Sequence, residues 1–138
     1  MHPRRLVASF CLVAAAFGSL TVALNAPAAA APKPRATVAI ADTATLSVDG
    51  QTVTIDVTAS CARGWQVLEA FITISQPQAT GMGGIPLTCT GKPQTSTVVV
   101  TSFGMAFQPG EAQASAFVLI ERHGTTQQAQ DSDIVQLA

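Results

Sequence analysis

Ala44-Thr45-Leu46-Ser47-Val48-Asp49-Gly50-Gln51-Thr52-Val53-Thr54-Ile55-Asp56-Val57-Thr58-Ala59-Ser60-Cys61 reads as a β-hairpin and points the whole chain to the all-β class. Before Asp49-Gly50, Ala44, Leu46 and Val48 alternate with Thr45 and Ser47. After it, Val53, Ile55, Val57, Ala59 and Cys61 alternate with threonine, aspartate and serine. Successive strand residues point to opposite faces, so strict alternation means one buried face and one wet face. The Asp-Gly pair suits the turn, because a tight hairpin needs positive φ angles. In this register Cys61 falls on the apolar face with its sulfur directed inward.

The same composition continues downstream. Trp65 to Gln76 forms a second long strand, with Leu68, Ala70, Ile72 and Ile74 on one face and Val67, Glu69, Phe71, Thr73 and Ser75 on the other. Apolar groups on both faces predict a central strand and leave its inner face open. Pro77 ends it, since proline donates nothing to a sheet ladder. Gln78 to Ile85 reads as a glycine-rich loop, Leu87 to Thr90 as a short strand, and Gly91-Lys92-Pro93-Gln94 as a turn. Thr95 to Ser102 is a fifth strand, and Pro109-Gly110 turns the chain. Glu111 to Arg122 then places Ala112, Ala114, Ala116, Val118 and Ile120 on one face. After His123-Gly124, Gln127 to Leu137 supplies a polar last strand, expected at a sheet edge. About seven strands imply an immunoglobulin-like, two-sheet antiparallel sandwich.

Residues 1–30 carry the three-part pattern of a secretory signal peptide. A basic start (Arg4, Arg5) precedes the apolar run Leu6 to Leu24 and a small-residue tail ending at Ala30. Retention of that run as a membrane anchor is the alternative; a lipid anchor at Cys11 is disfavoured by Phe10 before it. Cleavage would remove Cys11 and leave Cys61 and Cys89 as the only thiols, to be joined in an oxidising compartment or left as two buried thiols. A bridge would close a loop of roughly 29 residues, worth about 3–4 kcal/mol by chain entropy. Residues 31–36, with two prolines, read as a flexible leader, and residues 37–138 as one domain.

Four segments carry a family likeness: the strand ending in Cys61, the strand ending in Gln76, the Cys89-Thr90-Gly91 turn and the Phe107-Gln108-Pro109-Gly110-Glu111-Ala112 turn. On these the chain, from Thr37 to Leu137, resembles small secreted immunoglobulin-like proteins of unknown function from actinomycete-type bacteria. The resemblance implies export and a sandwich fold, and no activity. The Cys–Trp–Cys order of antibody domains is only half met, because Trp65 follows Cys61 closely and Cys89 comes early.

Charge and chemistry narrow the function. Of the seven Lys and Arg, Arg4 and Arg5 lie in the signal, so Lys33, Arg35, Arg63, Lys92 and Arg122 face eight acids, a net charge of −3. The five are scattered along the sequence, which argues against nucleic-acid binding. One histidine, His123, remains after cleavage, and a general base needs a nucleophile and an orienting acid. No set of imidazole or thiolate ligands for zinc or copper is present, and Asp131-Ser132-Asp133 lacks the rest of a calcium loop. Gly81-Met82-Gly83-Gly84 has no helix or lysine to make a phosphate cradle. Asp56 and Glu69 are a carboxylate pair only if the fold joins them. Trp65 is expected to pack near the disulfide. The expectation is a secreted, non-enzymatic domain without cofactor, membrane contact or nucleic acid, binding an extracellular protein or small molecule through end loops. Met82, Ile85 and Met105 are the candidate contacts, since methionine adapts to partner surfaces. The alternative is a small protease inhibitor with its reactive loop near 77–86.

Overall fold

A computed structural model describes residues 33–138. The signal peptide assigned to residues 1–30, with Cys11, lies outside the described residues. Seven strands follow in order: β1 (Ala36–Leu46), β2 (Thr52–Cys61), β3 (Gln66–Ser75), β4 (Thr80–Gly84), β5 (Gln94–Ser102), β6 (Gly110–Arg122) and β7 (Thr125–Leu137). β1 thus begins at Ala36, the last residue assigned to the leader.

The strands pair as β1-β2-β5-β4-β3-β6-β7 and close on themselves, so the expected two-sheet sandwich is corrected to a closed barrel. Every pairing is antiparallel except the seam, where β1 and β7 run parallel through Thr43↔Gln136 and Ala44↔Leu137. Two main-chain bonds extend that seam: Leu46 N–H to the Ala138 carbonyl (2.8 Å) and Ala138 N–H to the Ala44 carbonyl (3.1 Å). β7 therefore lies between β6 and β1, and the expected edge strand is an interior one.

β4 closes the other side, and the sequence reading had made it a loop. It pairs with β3 from Phe71↔Gly84 to Ser75↔Thr80 and with β5 through Gly81↔Ser102 and Met82↔Thr101. The physical reason is steric. A Cβ on Gly81 would stand 2.6 Å from the Thr101 carbonyl oxygen, and one on Gly83 2.5 Å from that of Val99. Bare inward positions let the β4 backbone lie against β5, a use of strand glycine that composition alone cannot tell from a flexible link. The expected strand at Leu87–Thr90 is instead an irregular strap. The Gln94 side chain holds it, donating to the Thr88 carbonyl at 2.6 Å and to the Thr90 hydroxyl at 3.2 Å.

The barrel is filled by side chains, as a small one must be. Val53, Ile55 and Val57 of β2, Ile72 and Ile74 of β3, Val98 and Val100 of β5, and Val118 and Ile120 of β6 are buried. Ala112, Ala114 and Ala116 narrow the interior where β6 passes. The open question at β3 is answered by a bulge: between Val67 and Glu69 the register slips, so Val67 and Ala70 both pack on the core while Leu68 turns outward.

The turns expected at Asp49-Gly50 and His123-Gly124 both form, and the paired positive φ angles expected at the first occur at the second. At the β1–β2 hairpin only Gly50 has a positive φ (71°), after a Gly50 N–H bond to the Ser47 carbonyl. The pair of positive φ angles falls at His123 (50°) and Gly124 (80°), the two-residue turn between β6 and β7. Val48, expected on the apolar face, stands fully exposed at the hairpin tip, because the alternation ends at Leu46 where the turn begins.

Candidate functional site

The strand ends form two poles. At the hairpin pole, the β1–β2 turn (residues 47–51) meets the β5–β6 loop (residues 103–109). Phe107 turns inward from that loop and is buried. Its N–H donates to the Gly50 carbonyl at 2.8 Å, and a Cβ on Gly50 would stand 2.6 Å from the Phe107 carbonyl oxygen. Gly50 is thus required twice over, for its positive φ and for this contact. Ser102 N–H bonds the Gln51 carbonyl, and Phe103 N–H bonds the Thr80 carbonyl, both at 2.9 Å. The loop is therefore braced by backbone bonds to the hairpin and to β4.

That bracing turns large apolar side chains outward. The Ser102 hydroxyl donates to the Met105 carbonyl and accepts from Gly104 N–H, closing a small turn with Phe103 and Met105 on its outside. Phe103 is 71% and Met105 67% exposed, and Val48 stands free at the neighbouring tip. Met82 and Val99 continue the apolar surface along the wall: Met82 lies opposite Thr101, and Val99 stands two residues before Thr101 on the same face of β5. A concavity of about 320 Å³ separates hairpin and loop, lined by Leu46, Val48, Asp49, Ala106, Phe107 and Pro109. Two others lie on the walls, about 510 Å³ beside Thr45, Thr54 and Asp56, and about 290 Å³ beside Pro77 and Ile134.

Asp49 and Glu111 carry charge at this pole. The Ser47 hydroxyl donates to the Asp49 carboxylate at 2.7 Å and Gln51 N–H at 3.0 Å. Those bonds hold its pKa below the ordinary aspartate value. Its charge is thereby committed to ordering the turn.

Of the expected contact residues, Met82 and Met105 are exposed. Ile85 is corrected: it is 6% exposed and belongs to the core. The inward parity of Gly81 and Gly83 runs on to Ile85, whose N–H bonds the Ala70 carbonyl at 2.9 Å. Within the segment 77–86, Thr80–Gly84 is strand β4 and not loop. Val48, Val99 and Phe103 are not among the expected contacts; Val99 stands in a run of three valines, where only strand parity marks it as outward.

Three acidic side chains have structural partners. Asp131 accepts from Ile40 N–H at 2.9 Å, Glu121 from Gly124 N–H at 2.8 Å, and Asp56 from the Thr97 hydroxyl at 2.8 Å. Asp56 faces outward beside β5 and Glu69 beside β6, so the fold does not join them. Among the described residues no group of three or more His, Cys, Asp and Glu is placed to hold a metal ion, and no helix is long and apolar enough to cross a membrane. Cys61 and Cys89 are disulfide-bonded, with Cα atoms 4.3 Å apart, and Trp65 and Cys89 both pack against the core. Compared with protein-family models and with curated protein sequences, the chain matches none.

Proposed function

We propose that this chain is an exported, non-catalytic β-barrel domain that binds an extracellular protein partner through its hairpin pole. The observation that carries the reading is the outward display of Phe103, Met105 and Val48 on braced loops, continued by Met82 and Val99. Large apolar groups held outward by backbone bonds lose little freedom on association, which favours binding at a given area. Export is supported by the leader pattern and by the Cys61–Cys89 bridge, which persists in oxidising compartments.

The test is capture of partners from the host's own extracellular fraction by wild-type protein and by a Phe103→Ser, Met105→Ser double variant. Neither side chain is buried, so the melting temperature should hold while capture falls tenfold or more. Equal capture by both proteins would overturn the proposal. Ile85→Ser serves as the contrast, since it empties a core position and should lower the melting temperature first.

A further inference from the structure

Lys33, Arg35, Arg63, Lys92 and Arg122 are scattered in the sequence, and the barrel gathers all five at the pole opposite the hairpin. Ala36 pairs with Cys61, and Ala62 N–H bonds the Arg35 carbonyl at 2.7 Å, which joins the start of β1 to the β2–β3 turn. Gly91 N–H bonds the Cys61 carbonyl at 2.9 Å, and a Cβ on Gly91 would lie 3.9 Å from Arg63 N, which brings in Lys92. A Cβ on Gly64 would lie 3.8 Å from the Arg122 guanidinium, and His123 follows in the β6–β7 turn. All six side chains belong to exposed residues. These are all the lysines and arginines among the described residues. Of the eight acids, Glu121 lies at this end of β6 with its carboxylate on Gly124 N–H, and Glu69 lies a few residues into β3 opposite Leu119.

We propose that this disulfide pole seats the domain on the anionic headgroups of a membrane surface. Net charge alone opposes such contact, since five cations face eight acids, so attraction exists in one orientation only. The cations are spread over four chain segments at a barrel end, and none of the three cavities opens there. That geometry meets a plane of charges better than a single small anion or one strand of polymer. Trp65, the single tryptophan, is half-buried in the same turn as Arg63, and tryptophan favours the headgroup level.

The experiment follows Trp65 emission of the protein as its host produces it, mixed with vesicles carrying a lipid-borne quencher. Quenching is expected with phosphatidylcholine vesicles containing phosphatidylglycerol, is expected to fall steeply with salt, and is expected to be absent with phosphatidylcholine alone. Each cation removed should weaken binding about fivefold. The triple variant Arg63→Ser, Lys92→Ser, Arg122→Ser should therefore lose about 100-fold, and Lys92→Glu serves as a single exposed change if the triple variant does not fold. Glu111→Gln, on the other pole, should bind as wild type. Equal quenching by neutral vesicles, or full binding by the charge variants, overturns the proposal. Tighter binding of soluble polyphosphate or single-stranded DNA than of the anionic vesicles overturns the lipid assignment.

Discussion

A methyl group on Gly83 would stand 2.5 Å from the Val99 carbonyl oxygen and 2.9 Å from the Val98 Cγ1, whereas one on Gly84 would meet nothing within 4 Å. The two adjacent glycines therefore do different things, one facing the barrel interior and the other solvent. Gly83→Ala should cost about 1–3 kcal/mol, because backbone and not a flexible side-chain end must move. Gly84→Ala should change stability by less than about 0.5 kcal/mol. Urea midpoints of the two variants check this, and equal midpoints would remove the steric account of β4. At this scale the sequence was least legible. Met82 and Ile85 looked alike as apolar residues among glycines. Their opposite fates depend on strand parity, which cannot be counted until the segment is known to be a strand. Val99, inside a run of three valines, likewise faces outward by parity alone.

Strands with unbroken alternation were legible in full. β2 buries Val53, Ile55, Val57, Ala59 and Cys61, and β6 buries its alanines with Val118 and Ile120, in the register that period two predicts. Where an element slips register the pattern misleads: the β3 bulge reverses Leu68, and β1 carries two extra residues between Ile40↔Val57 and Ala44↔Ile55. That second irregularity has a consequence at the seam. The parallel β1–β7 ladder covers Thr43 and Ala44 only, and farther along Ile40 N–H bonds the Asp131 carboxylate. A side chain thus replaces a ladder bond. Asp131→Ala should leave that part-buried donor without its partner and cost about 1–3 kcal/mol. Hydrogen exchange should show the Ile40 amide losing protection while amides of the β2–β5 ladder keep theirs. Protection retained at Ile40 would show that the carboxylate is not what holds the seam.

The barrel formed by the described residues has unlike ends, and neither closure nor polarity could be read before the strand order was known. Alternation says which face is buried and is silent on whether the sheet splits in two or closes, since both bury one face per strand. Five scattered cations became one pole only because β1, β2 and β5 start or finish at the same end as the β6–β7 turn. The ends are also held differently. The hairpin pole is braced by backbone bonds from Phe107, Ser102 and Phe103, while the opposite pole adds to its backbone bonds the Cys61–Cys89 bridge, which ties the strap before β5 to the end of β2. Replacing both cysteines by alanine should lower unfolding free energy by about 3–4 kcal/mol, the chain entropy of the opened loop. The loss should also be uneven in the folded state. The Gly91 amide, bonded to the Cys61 carbonyl, should exchange faster, and the Phe107 amide, bonded to Gly50, should keep its relative protection until global unfolding. Partner capture at the hairpin pole should then survive cysteine replacement at temperatures where the variant stays folded, while contact with anionic vesicles weakens as Lys92 and Arg63 lose their shared framework. Parallel loss of both activities in a folded variant would mean that the two ends are coupled through the barrel wall.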